Sequence, residues 1–193
     1  MHRFYKSKYT ADENVEAIEF AKKAILTNDS TRPALSKVFY DKDKKVLVGT
    51  DGKRFHISRF ESDNMETGAY SVHFLKEDKC YLLEKTDLTY PNINYIIDNN
   101  IGDAIPENLK YSKTYGSLSI SGFVFGVFKK IDNALDLTYI RDLFTLKNDK
   151  FYDSVEVYQD KIDSPVIFKF TKTEDEKNEN NYKYAVISPM RCG

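Results

Sequence analysis

A helix-length amphipathic stretch followed by three strand-length runs occurs twice in this 193-residue chain, and that order constrains the fold more than any other feature. In the first copy, Thr10 and Glu13 have the spacing of a capping box, which satisfies free amide donors at a helix start. Val15, Ile18, Ala21 and Ile25 then recur at helical spacing, so a helix with one buried face is predicted over about residues 12–27. Glu16, Glu19, Lys22 and Lys23 fall elsewhere on the wheel, and Asn28-Asp29-Ser30 ends the helix. Strands follow in hairpin rhythm over residues 35–40, 45–48 and 53–59, with turns at Asp41-Lys42-Asp43 and Thr50-Asp51-Gly52. Asp-Gly supplies the positive-φ positions that a tight hairpin demands. In the third strand Phe55 and Ile57 take one face, and Arg54, His56 and Ser58 the other.

The second copy begins at Asp136, a predicted N-cap, with Leu137, Ile140, Leu143 and Phe144 as the apolar stripe of a helix over about 137–147. Strands are predicted over 154–159, 165–170 and 182–187, which makes a weak internal repeat. Between the copies, residues 69–75 and 79–84 read as a hairpin about Glu77-Asp78, with no helix between Arg59 and Tyr70. Tyr90-Pro91 punctuates the chain, residues 98–110 read as loop, and residues 117–128 are strand-like. The charged, apolar-poor stretch 171–181 reads as an exposed hairpin loop.

The length suits one large domain or two small ones, and 41% hydrophobic with 31% charged residues is an ordinary balance for a folded protein. Two cysteines, Cys80 and Cys192, give no disulfide framework and are expected to be free thiols in a reducing cytoplasm. The N-terminal Met1-His2-Arg3-Phe4-Tyr5-Lys6 lacks the apolar core of a signal peptide, and no apolar run approaches the ~20 residues of a membrane span. A soluble, cytoplasmic protein is therefore expected.

Little in the chain suggests covalent chemistry. His2, His56 and His73 are scattered, and neither Cys nor His occurs at metal-ligand spacing. No Gly-x-Ser-x-Gly, P-loop or Gly-rich dinucleotide fingerprint is present. Asp51 beside Arg54 could form a catalytic pair, but the turn chemistry of Asp-Gly explains Asp51 more simply. The expectation is a protein without catalytic activity, metal or cofactor.

Three ordered segments carry a resemblance. Near its end the chain carries Tyr184-Ala185-Val186-Ile187-Ser188-Pro189-Met190-Arg191, preceded by Thr50-Asp51-Gly52-Lys53-Arg54-Phe55 and Tyr90-Pro91-Asn92-Ile93-Asn94-Tyr95-Ile96-Ile97. These resemble the bacterial DNA sliding clamp, the beta subunit of DNA polymerase III. That family carries Thr-Asp-Gly-His-Arg-Leu, Phe/Tyr-Pro-Asp/Asn-Tyr-x-x-Val-Ile and a final Met-Pro-Met-Arg in the same order. The resemblance fits the last two of the family's three domains, both shortened. It implies an α+β fold of DNA-clamp domains, with short helices packed on antiparallel sheets. Domain limits of 1–90 and 91–193 follow, the alternative being one pseudo-twofold clamp domain with an insertion at about 62–120.

The function the resemblance implies is that of a processivity factor, a non-catalytic accessory subunit tethering DNA polymerase to double-stranded DNA as a homo-oligomeric ring. Polymerase and clamp loader would dock through short linear peptides in a hydrophobic cleft. Carried over residue by residue, that cleft comprises Leu35, Thr50, Gly52, Lys53, Arg54 and Phe55 from the first half, and Pro91, Tyr95 and Ile96 from the connector. Ile162, Val186, Pro189, Met190 and Arg191 complete it. DNA-facing candidates are Lys22 and Lys23 on the first helix and Arg141 and Lys147 on the second, through sequence-independent phosphate contacts. With 29 Lys+Arg against 30 Asp+Glu the net charge is -1, which disfavours a tight phosphate-gripping binder and leaves a loose encircler open.

The sequence also departs from the family. Lys53 replaces its His, Tyr95 stands where a basic residue is common, Ser188 replaces the first Met, and Cys192 and Gly193 follow Arg191. Trimmed repeats and a Lys/Asn-rich composition suggest a phage or mobile-element version. The alternative function is a monomeric clamp-like adaptor or decoy that binds clamp-interacting peptides without encircling DNA.

Overall fold

The computed structural model describes residues 1–5, 13–27, 30–93, 110–112, 135–144, 154–158, 164–171 and 183–188. The chain divides into two compact units, Met1–Asn92 and Ile93–Gly193.

The first unit opens on a strand, β1 (His2–Tyr5), where the sequence predicted a helix as the first element. Four residues without a β-branched side chain carry little strand signal; pairing makes the strand. β1 lies antiparallel to β6 (Cys80–Thr86), with Phe4 opposite Tyr81, and the Phe4 ring packs 5.1 Å from that of Phe60. Helix α1 (Glu13–Lys22) follows. It stops five residues short of the predicted end because the backbone bonds change partners. Lys23 and Ala24 donate to the carbonyls of Phe20 and Ala21, a tighter turn, and the Leu26 amide donates to Leu35 O at 2.8 Å. Thr10 of the expected capping box lies outside the described residues.

Leu35 sits in a 3-10 turn (Pro33–Ser36) where a strand was expected. Pro33 fixes the first φ and has no amide to lose, and Ser36 Oγ donates to Pro33 O at 2.7 Å. The meander β2 (Val38–Asp41), β3 (Val46–Thr50) and β4 (Arg54–Arg59) then forms as the hairpin signals predict. The β5 (Gly68–Leu75) and β6 hairpin does too. Every pairing is antiparallel, in the order β1-β6-β5-β2-β3-β4.

Helix α1 lies on one face of this sheet. Val15, Ile18 and Ala21 are buried as predicted, and Ile25 is partly buried against the same cluster. Ala17, Phe20 and Ala24 are buried as well, so the hidden face is wider than the predicted stripe. Gly49 sets the distance, since a Cβ there would lie 1.9 Å from the Ala21 carbonyl oxygen. The N-terminal half of the helix is tied by Asn14, whose side chain exchanges hydrogen bonds of 2.9 and 3.2 Å with the Glu61 backbone.

The second unit contains α2 (Leu137–Phe144) and strands β7 (Lys110–Ser112), β8 (Ser154–Tyr158), β9 (Val166–Thr171) and β10 (Lys183–Ile187). They pair antiparallel in the order β10-β9-β8-β7. Asp136 caps α2 as expected, its Oδ1 accepting from the Thr138 amide at 2.8 Å. Ile140 and Leu143 are buried, but Leu137, predicted in the same stripe, is 60% exposed. Cα–Cβ bonds tilt toward a helix N-terminus, so the first residue's side chain points off the end of the helix. Lys110 belongs to a strand although it ended the predicted loop. Predictions for residues 98–109 and 117–128 lie outside the described residues, as does residue 147, the predicted end of the second helix.

Candidate functional site: the turn between β3 and β4

Residues 50–55 form a turn closed mostly by its own side chains. Thr50 Oγ1 accepts from the Gly52 amide at 3.0 Å and donates to Arg54 O at 2.7 Å. Asp51 Oδ1 accepts from the amides of Lys53 and Arg54 at 2.9 and 3.1 Å. Gly52 has φ 90, a left-handed conformation that favours glycine. Gly52 and Lys53 are exposed at the tip, while Thr50, Asp51 and Arg54 are buried.

Arg54, expected as a cleft residue, is a buried strut within the turn. Its Nε donates to Asp51 Oδ2 at 3.1 Å, and its Nη2 donates to the Lys23 carbonyl at 2.7 Å. The whole polar face of β4 turns inward the same way. His56 stands opposite Gly49 and Ser58 opposite Leu47, beneath α1. The His56 ring stacks on Phe20 at 4.5 Å, and its Nδ1 lies 2.8 Å from Phe20 O. A carbonyl only accepts, so Nδ1 carries the proton, leaving Nε2 buried with no hydrogen-bond partner among the described residues. Burial pushes His56 down to about 3; the charges of Arg54 and Lys23 add to this and the Phe20 carbonyl opposes it.

Around the turn, Leu35 is buried. A Cβ on Gly52 would lie 3.6 Å from both Leu35 Cδ1 and Arg32 Nη1. Phe55 pairs with Thr50 in register and is half-buried. Tyr90 stacks on Phe39 with ring centroids 5.1 Å apart, and its hydroxyl donates to Lys37 O at 3.4 Å. Burial raises the Tyr90 phenol far above its ordinary value, and a hydrogen bond to the Thr50 backbone opposes that. Pro91, next along, is exposed. The structure thus gathers Leu35, Thr50, Gly52, Lys53, Arg54 and Phe55 about one turn. Sequence reasoning missed Arg32, Tyr90 and His56; Tyr90 stood within a quoted segment, whereas Arg32 and His56 carry no local signal.

In the second unit Val186 is buried in β10, opposite Ile167. Tyr95, Ile96, Ile162, Pro189, Met190 and Arg191 lie outside the described residues. Of the DNA-facing candidates, Lys22 is exposed with Nζ 5.7 Å from the Tyr81 ring centre. Lys23 is half-buried, Arg141 is exposed in the last turn of α2, and Lys147 is outside the described residues. Cys80 is a buried free thiol. Among the described residues no group of three or more His, Cys, Asp or Glu could hold a metal ion, and no helix is long and apolar enough to cross a membrane.

Short helices on antiparallel sheets in this order define the DNA sliding-clamp fold, shortened. The DNA polymerase III beta subunit of Thermotoga maritima matches over 92% of this chain and 63% of its own, with a TM-score of 0.53 and 14% identity. That of Borrelia burgdorferi, in complex with a natural product, matches over 98% of this chain and 68% of its own, with a TM-score of 0.54 and 13% identity. The beta chain from Streptococcus pneumoniae gives 0.54 and 12% identity, covering 96% of this chain and 67% of its own. The likeness is one of fold, and the chain spans about two-thirds of the length of these proteins. No protein-family model matches the sequence, and a search of curated proteins returned no match.

Proposed function

We propose that the chain is a sliding-clamp-like processivity factor, a non-catalytic subunit that tethers a DNA polymerase to double-stranded DNA in the cytoplasm. The observation that carries this reading is the clamp fold matched over 92–98% of the chain. Partner peptides, those of polymerase and clamp loader, would engage the turn at Leu35, Thr50, Gly52, Lys53 and Phe55. Contact by Pro91, Tyr95, Ile96, Ile162, Val186, Pro189, Met190 and Arg191 belongs to the same proposal, as does homo-oligomerisation with Lys22, Lys23, Arg141 and Lys147 toward DNA. An internally bonded turn with Thr50, Asp51 and Arg54 buried supports the reading because a peptide groove needs a rigid floor to avoid the cost of ordering it on binding.

A peptide with a Gln followed by Leu and Phe anchors tests the groove. Each filled apolar pocket is worth about 1.5–3 kcal/mol, so Met190→Ala should weaken binding about tenfold or more. Unchanged affinity by calorimetry would remove the tail from the site. Retention on circular DNA, lost when the circle is cut, tests encirclement.

A second reading, a monomeric peptide-binding adaptor, draws on one observation. Among the described residues α1 and α2 are the α-helices available to line a ring. Light scattering separates the two, since a ring needs an oligomer.

A further inference from the structure

Three carbonyls at the C-terminal end of α1 meet the inner face of β3 and β4. Phe20 O receives His56 Nδ1 at 2.8 Å, Lys23 O receives Arg54 Nη2 at 2.7 Å, and Ala21 O lies against Gly49. Phe20 O and Ala21 O also accept from the Lys23 and Ala24 amides, and carbonyls at a helix C-terminus bear partial negative charge, which a cation satisfies well. Helices commonly meet this need with a following glycine, with 3-10 bonds or with water. Here the donor is a guanidinium whose other edge is held by Asp51, a residue that also orders the turn through the amides of Lys53 and Arg54.

The geometry points to a mechanical link from the peptide-binding turn to the C-terminal end of α1, at Lys22 and the following Lys23. It runs Asp51–Arg54–Lys23, with His56 as a second fastening, and makes Arg54 a positioning residue that couples the two surfaces. The inference rests on the reading of residues 50–55 as a peptide-binding turn. A ligand that rigidifies the turn fixes the Asp51 carboxylate, hence the guanidinium, hence the Lys23 carbonyl. The helix end then frays less. Its reporters are the amides of Lys23 and Ala24, bonded within that last turn at 3.2 and 3.1 Å. Because the guanidinium fork engages both partners from fixed directions, a point charge at position 54 cannot replace it.

Residue-resolved hydrogen exchange, with and without the Gln-Leu-Phe peptide, tests the link in the full chain. Asp51→Asn is the informative variant, because its Oδ1 can still accept from both turn amides while the ion pair to Arg54 Nε is lost. In the wild type, saturating peptide should slow exchange of the Lys23 and Ala24 amides about fivefold or more, the lower end of ordinary coupling between sites. In Asp51→Asn and in Arg54→Lys, with peptide bound, the slowing should fall below about twofold. Bound peptide with unchanged exchange in the wild type overturns the link and leaves the peptide site standing. Equal protection in wild type and both variants overturns Arg54 as its carrier. Absence of peptide binding to the wild type overturns the site, and the link with it.

Discussion

Helix α1 is fastened at its C-terminal end by side chains 31 and 36 residues further along the chain, Arg54 and His56. Helix α2 is fastened at its N-terminal end by Asp136, the residue before its first turn. Both devices satisfy backbone groups that a helix leaves open, but they differ in reach. A local cap stabilises only the turn it touches. The clasp on α1 joins the helix to the strands, so disturbing it disturbs the packing of the whole first unit. The difference also separates roles, since the long-range fastening occurs beside the candidate peptide turn.

Gly49→Val should give the largest effect and would break the comparison most directly. The new Cβ would lie 1.9 Å from Ala21 O, 2.7 Å from Ala21 C and 3.2 Å from its Cα, all backbone. No rotamer relieves that overlap, so the helix must lift from β3 and expose Ile18, Ala21 and Leu47. A loss of more than about 4 kcal/mol is expected in urea denaturation. An unchanged midpoint would mean that α1 does not rest on β3 and that its clasp is incidental.

The same contrast explains what could be read from the sequence. The cap at Asp136, the stripe through Ile140 and Leu143, and the hairpin turns are local patterns, and each appears where its spacing placed it. β1 was illegible because its stability comes from β6, some eighty residues away. The inward polar face of β4 was illegible for a related reason. Alternation separates Arg54, His56 and Ser58 from Phe55 and Ile57, but burial of both faces depends on what covers them, and α1 covers the polar one. Asp51 is legible as a turn former, and its nearness to Arg54 is legible too. That the pair holds a helix end could come only from the tertiary fold. The tail residues Pro189, Met190 and Arg191 were conspicuous in sequence yet lie outside the described residues.

Acid sharpens the comparison at an intermediate scale. His56, lowered to about 3, stays neutral in the folded protein, whereas an unfolded histidine titrates near 6.5. The unfolded state therefore binds the extra proton first. The contribution is present in full above 6.5 and is lost as pH falls from there toward 3, at up to about 1.4 kcal/mol per pH unit. His56→Gln should be less stable at neutral pH, lacking the ring stacked on Phe20, but its stability should fall less steeply between pH 6 and 4. Parallel curves for the two proteins would show that His56 is accessible to protons when folded, and the second fastening of α1 would be lost.

Asp136→Ala should have the smallest effect and tests the other half of the comparison. The Oδ1 of Asp136 accepts from the Thr138 amide at 2.8 Å and from the Thr138 hydroxyl at 2.6 Å, both in an exposed setting. Water can replace an exposed acceptor at modest cost, so the loss should be that of an ordinary N-cap, about 1 kcal/mol. Asp136→Ser keeps a hydroxyl in place and should recover most of it. Amide exchange should rise at Thr138 and Tyr139 and stay unchanged at Lys23 and Ala24, because nothing in a local cap reaches the clasp on α1. Urea denaturation of both variants, read with exchange at these four amides, measures cost and reach together. A loss above about 3 kcal/mol, beyond the range of a lone cap, would show that Asp136 also supports packing beyond its own turn. The two helices would then differ in position but not in kind.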